Sequence, residues 1–244
     1  MGVNRNGRGL VWAIVLACLA AVQALAAQEV TKPISRKQQA TLSSAVFLDA
    51  HPDMKHRKQG WDAYAEGDFA LARAQFLKAA WYGDKPSQAM LAEMDWKGEG
   101  AAVDRASAYT WADIAAERGY AVFVGVRERY WRALDSAEKA RVAQDGPARL
   151  AEYGDGVARG RLEQHLRRHL RDIQWSSRTV APPRTVTVYD HHGVPTRIDG
   201  SRFFSPTFWD PAQYQAWQDA QWRAPPEGSV EVGEVEQVRP PEGE

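Results

Sequence analysis

Asp95 to Tyr120 reads DWKGEGAAVDRASAYTWADIAAERGY, a glycine-rich loop, an aspartate and then alanine-rich sequence closed by Gly119. Each feature has a structural use. Aspartate at a helix start accepts hydrogen bonds from free backbone N–H groups. Closely spaced alanines let two helices approach. Glycine at the end takes up the left-handed cap that other residues resist. The stretch therefore predicts a helix after Asp104 that ends at Gly119. Pro86 to Lys97 is predicted to be the helix before it, with proline in its first turn.

The same grammar occurs upstream. Asp68 and Asp104, Ala72 and Ala108, Ala79 and Ala115, Ala80 and Ala116, and Gly83 and Gly119 all recur at a spacing of 36 residues. A fixed period of this size marks stacked helix pairs, each burying its apolar face on the next. Lys55 to Glu66 is the predicted first helix of the upstream unit.

Ala89-x-Leu91-Ala92-x-Met94, Lys97-Gly98-x-Gly100, Val103-Asp104 and Trp111-x-x-x-Ala115-Ala116-x-x-Gly119 resemble a Sel1-like repeat, a family of tetratricopeptide-like α-solenoids. Gly60-x-x-x-Tyr64-x-x-Gly67-Asp68 is similar to an ordinary tetratricopeptide repeat. The two units cover about a third of the chain. The family's usual loop has glycine, a few residues and then valine directly, whereas Ala101-Ala102 intervene here. The resemblance implies a mostly α fold, a short solenoid of helical pairs, and a role as a scaffold in extracytoplasmic assemblies.

Two repeats cannot close a core alone, so flanking segments are expected to cap them. Ile34 to Leu48 carries Leu42, Val46 and Phe47 at helical spacing and should cover one end. Tyr120 to Leu134 continues as helix, and Asp135-x-x-Glu138 has the form of a capping box. Leu150 to Asp155 echoes Ala79 to Asp84, as a degenerate third unit interrupted by Gly146-Pro147. A helix from Val157 to Ile173 follows.

The period then changes. Thr185 to Tyr189, a turn at Asp190 to Gly193 and Val194 to Ile198 form a predicted hairpin. Asp210-Pro211 opens a helix over Ala212 to Arg223, and Val230 to Val235 offers a last strand. The expected domains are a signal peptide at 1–27, the repeat domain at 33–175, a linker at 176–184, a small α+β appendage at 185–238 and a disordered tail at 239–244.

The first residues carry the localisation. Arg5 and Arg8 precede an apolar run, Leu10 to Val22, and Ala24-Leu25-Ala26 offers small residues for cleavage before Gln28. This is the pattern of a cleavable signal peptide, and it predicts a periplasmic or secreted protein. Val15 to Cys18 also has the form of a lipobox, but apolar sequence continues past Cys18 where a polar tether would be expected. Cys18 is the chain's one cysteine, so cleavage near Ala27 leaves no disulfide. Stability then rests on the core, which more than two hundred residues can supply.

Thirty-one basic residues balance thirty-one acidic ones. Loss of Arg5 and Arg8 leaves a slightly acidic chain, which gives no reason to expect a nucleic-acid partner. There is no GxSxG elbow, phosphate-binding glycine loop, HExxH or cysteine nucleophile, and no cofactor is implied. The expected activity is non-catalytic, with an unidentified protein or peptide as the partner.

Trp61, Tyr64, Phe69, Phe76, Trp81, Trp96, Tyr109 and Trp111 are expected between helices. Lys78, Glu93, Lys97 and Glu117 are read as solvated charges. Arg167 and Arg168, on a basic helix face, are candidates for peripheral contact with cell wall or membrane surface. Trp209 and Trp217 are candidates for stacking on sugar, which gives the alternative of a cell-wall glycan binder or lytic enzyme. His165 and His169 stand one helical turn apart, as zinc ligands can, although no further ligand accompanies them.

Overall fold

The computed structural model describes residues 36–176, 183–189 and 193–223. The expected signal peptide with Cys18, most of the expected linker, Asp190, His191 and His192 of the expected turn, the strand expected at 230–235 and the expected tail lie outside the described residues.

Helix α1 (Arg36–Leu42) and α2 (Ala45–Ala50) come first, the latter capped by Ser44. Helix α3 (Pro52–Ala65) has proline in its first turn, and α4 (Phe69–Ala80) is capped by Asp68, whose carboxylate accepts from the Leu71 N–H at 2.9 Å. Helix α5 (Lys85–Lys97) is capped by Asp84, and α6 (Arg105–Ala116) by Asp104, which accepts from the Ser107 N–H at 3.0 Å. Gly83 and Gly119, equivalent in the repeat, both have left-handed φ, at 77° and 70°. Helix α3 packs on α4, α5 on α6 and α4 on α5. Ala72, Ala79, Ala80, Ala108, Ala115 and Ala116 are all buried. The 36-residue period is thus a period of caps, turns and buried small residues.

Gly60 shows how close the first pair comes. A Cβ there would lie 2.6 Å from the ring of Phe76. In the second pair the loop glycine Gly100 is needed twice, for its φ of 73° and because a Cβ would meet the Phe69 carbonyl at 2.7 Å.

Helix α6 is the centre of the array, with α5, α7 (Ala121–Ala133) and α8 (Ser136–Tyr153) all packed on it. Asp135 and Glu138 form the expected capping box. Gly146-Pro147 does not interrupt the helix: α8 runs through both. Proline removes one helical hydrogen bond and crowds the carbonyl four residues earlier. That residue is Ala143, which is exposed, so water can take the freed carbonyl. The echo at Leu150 to Asp155 also differs from its model. Gly154 has φ −68°, and what requires glycine there is the Leu150 carbonyl, 2.6 Å from where a Cβ would stand.

Helix α9 (Asp155–Ser176) follows, burying Leu162 and Leu166 against Tyr214. Strands β1 (Thr185–Tyr189) and β2 (Pro195–Asp199) pair antiparallel with Val186 opposite Ile198. Three short elements complete the described chain: α10 (Gly200–Phe203), α11 (Pro206–Trp209) and α12 (Pro211–Arg223), the last with the Asp210 carboxylate accepting from the Gln213 N–H. The molecule is mostly helical, with a two-stranded sheet among the described residues.

The N-terminal segment departs from its expected place. Phe47 and Ala50 of α2 share a core with Val188, Ile198, Phe203, Phe208 and Trp209. An appendage with so few aliphatic side chains completes its core by borrowing from α2. The N-terminal helices therefore serve the C-terminal elements as well as the repeats.

Gly119→Val tests the repeat geometry. Nothing lies within 4 Å of a Cβ at Gly119, so the cost is the left-handed backbone alone. Thermal unfolding should show a loss of about 1–2 kcal/mol. An unchanged melt would contradict the cap.

Candidate functional site

The first helices of successive units, α3, α5 and α7, carry a continuous strip of polar and aromatic side chains. Trp61 and Tyr64 lie three residues apart on α3, so they share a face. The Tyr64 hydroxyl donates to Glu99 at 2.8 Å, just beyond α5. On α5, Lys97 pairs with Glu93 at 3.0 Å, one turn away, and approaches Glu99 at 4.0 Å. The Tyr130 hydroxyl of α7 donates to Glu93, and its ring stacks on Trp96 at 4.1 Å and 5°. Arg105 covers Trp96 with its guanidinium 5.2 Å from the ring centre.

Electrostatics fixes the strip's charge. Burial opposes the charge on Glu93, but hydrogen bonds from Tyr130 and Lys97 outweigh it and hold its pKa below the ordinary value. The hydrogen bond to Glu93 raises the pKa of Lys97. Burial and then the bond to Glu93 push the Tyr130 hydroxyl well up, so it stays a donor. Trp61, 45% exposed, stands at one end. An exposed ring packed on Tyr64, whose hydroxyl leads on to two carboxylates and an ammonium, can anchor an apolar side chain while the charges hydrogen-bond a peptide backbone.

A second polar cluster is closed. Lys85, fully buried, donates to the Ile114 carbonyl at 2.8 Å and to Glu117 at 2.7 Å, with Asp155 at 3.1 Å. Arg118 holds both oxygens of Asp155 at 2.9 Å and donates to the Gly83 carbonyl. Arg57 pairs with Asp84 at 2.7 Å. Helix α12 enters this cluster: Tyr214 and Gln218 each donate to Asp53 at 2.7 Å, and Asp219 accepts from Tyr120. Burial lowers the pKa of Lys85 and raises that of Asp84. Burial also opposes the charge on Asp155, but Arg118 and Lys85 hold its pKa far below the carboxylate range. The void left among these groups is about 10 Å³, room for one water. This cluster pins α12 across the repeats.

The four candidate binding residues do not converge. Trp209 is 3% exposed, and its indole N–H donates to the Phe203 carbonyl at 2.6 Å, so it is part of the appendage core and presents no face to a sugar. Trp217 is half-buried and lines a cavity of about 390 Å³ with Phe208, Arg202, Ser205 and Thr207. Arg167 pairs with Glu163 at 2.8 Å and borders a separate groove of about 210 Å³ between α9 and α12. Arg168 is exposed on α9. His165 and His169 stack with ring centres 5.9 Å apart, and His165 also approaches the Asp49 carbonyl at 3.3 Å. No cluster of three or more His, Cys, Asp or Glu side chains suited to a metal occurs among the described residues.

The charges read as solvated divide three ways. Glu93 and Lys97 belong to the strip, Glu117 faces Lys85, and Lys78 is exposed. Trp61 and Trp81 are more exposed than helix-packing rings would be, and Arg161 lies 3.4 Å over Trp81. The contacts missed by sequence reading have a common signature. Tyr64 and Glu99 are 35 residues apart, Glu93 and Tyr130 are 37, and Arg118 and Asp155 are 37. Each is close to one repeat, the separation at which adjacent units touch.

No family model matches the chain, and no curated protein or solved structure is significantly similar to it.

Proposed function

We propose that this chain is an exported, non-catalytic scaffold whose helical-repeat face receives a peptide or protein partner. The observation that carries this reading is the strip from Trp61 through Tyr64, Glu99, Lys97 and Glu93 to Tyr130, which crosses three successive first helices and keeps its charged groups partly exposed. Repeat arrays bind through such faces, because each unit adds one more set of side chains along the same groove. The Sel1-like resemblance points the same way, as does the pattern of a cleavable signal peptide.

The test is capture of partners from an extract of exported proteins by the mature chain. Trp61→Ala with Lys97→Glu should lower capture about 30-fold, the scale of an interface anchor worth about 2 kcal/mol, while the melt changes little. Undiminished capture by the double variant would overturn the reading.

A second reading has its own support. Trp217 and Arg202 share the 390 Å³ cavity with the hydroxyl-bearing Ser205 and Thr207, a lining that suits a sugar ring. In this reading the wild-type protein is retained on purified wall polymer and Trp217→Ala is not, with the fold intact.

A further inference from the structure

His51 joins α2 to α3 and is fully buried. Its Nδ1 lies 2.8 Å from the Phe47 carbonyl and its Nε2 lies 2.7 Å from the Phe208 carbonyl. A carbonyl oxygen only accepts. A neutral imidazole has one N–H and one bare nitrogen, so it can satisfy one of these two contacts and must set a lone pair against an oxygen in the other. The imidazolium, with two N–H groups, satisfies both.

We infer that His51 is held as an imidazolium and acts as a charge-dependent latch, fastening α2 to α11 and so the start of the described chain to its C-terminal appendage. Its surroundings are those of a cation. Phe208 lies near the C-terminal end of α11, where carbonyls are left without helical partners, and the Phe47 carbonyl, which accepts the His51 backbone N–H at 3.0 Å, takes the ring as a second donor. The ring stacks on Phe47 at 3.8 Å and 11°, and the edges of Trp209 and Tyr214 close around it.

The charged and titratable groups around His51 come from three elements. On α3, Asp53 is buried, and no lysine or arginine lies within 4 Å of its carboxylate among the described residues. One of its oxygens takes both Tyr214 and Gln218 and the other has no hydrogen bond; Arg57, paired with Asp84, and the His51 ring are the cationic groups that act on it. On α9, His165 faces the same junction and its charge would oppose that of His51; on α12 the group is the neutral Tyr214 hydroxyl. Helix α11 contributes carbonyl and ring alone. Burial is the largest influence on His51 and pulls its pKa below the ordinary value, against the pull of Asp53 and the two carbonyls. Against that lowering the imidazolium rests on the two contacts alone: a bare ring nitrogen 2.7 or 2.8 Å from a carbonyl oxygen in a buried core is repulsive, and a second N–H removes that repulsion.

The linkage has a definite sign. A histidine whose folded pKa exceeds its unfolded one stabilises fully below the unfolded value, about 6.5, and loses that stabilisation as pH rises through the folded value. The appendage should therefore be fastened in acid and neutral solution and loosen in mild alkali.

Nitrogen-15 spectra of the labelled mature protein, with His51 assigned, read the ring directly. At about pH 7.5 both nitrogens should carry protons, with the midpoint above the ordinary 6.5. Asp53→Asn should lower that midpoint, which a purely structural Asp53 would not do. Amide-exchange protection in α2 and α11, corrected for intrinsic rates, should fall as the ring deprotonates while α5 and α6 keep theirs. One protonated and one bare nitrogen at neutral pH, or a midpoint at or below 6.5, would overturn the imidazolium. Uniform loss of protection across all helices would overturn the latch. The wild-type spectra stand whether or not the Asp53 variant folds.

Discussion

Lys85→Ala should lower the melting temperature by about 6–20 °C, since removing one partner of a buried ion pair costs about 3–5 kcal/mol and each kcal/mol moves the melt of a chain this size by about 2–4 °C. The amine is inaccessible to solvent and is shared by Glu117, Asp155 and the Ile114 carbonyl. Its loss leaves Glu117 without a cation and Asp155 with Arg118 and the more exposed Arg159. Lys85→Met separates charge from packing, because methionine fills much of the space and donates nothing. Most of the loss should persist in that variant. Full recovery with methionine would show that Lys85 acts by filling volume.

Phe76→Ala should be as damaging, at about 3–5 kcal/mol, read by the same melt. Phe76 is wholly buried between α3 and α4, with Trp61 edge-on at 5.7 Å and Gly60 directly beneath its ring. The pair makes a sharper test than either residue alone. In the wild type Gly60→Ala forces a methyl to within 2.6 Å of the ring and should destabilise by about 1–3 kcal/mol. In the Phe76→Ala background the clash is gone, and the same alanine should stabilise the helix by up to about 1 kcal/mol. Failure of the sign to reverse would mean that Gly60 is glycine for some reason other than contact with Phe76.

The repeats were legible because their signals are local. Asp68 caps the residue three places on, Gly119 turns its own backbone, and Ala115 and Ala116 need only be small. The hairpin and the helix after Asp210 were legible for the same reason. The polar cluster was not, since Asp53 meets Tyr214 across 161 residues and no short pattern marks either. Trp209 could not be assigned from its neighbours in sequence, because what buries it includes Phe47 from α2. Gly146-Pro147 misled for a physical reason: two residues that oppose helix locally were carried by a helix whose affected carbonyl is exposed. The strip was not legible, since Glu93 and Lys97, one turn apart, look like any solvated pair and Tyr130 lies a full repeat away.

Site-specific photo-crosslinking tests the scaffold reading most directly. A photoreactive phenylalanine analogue is placed at position 61 in one sample of the mature protein and at position 217 in another, each mixed with extract of exported proteins and with purified wall polymer. The account predicts a discrete protein adduct at position 61, lost when Lys97→Glu is added, and none at position 217. Polymer adducts at position 217 with no protein adduct at position 61 would contradict it and establish the glycan reading in its place.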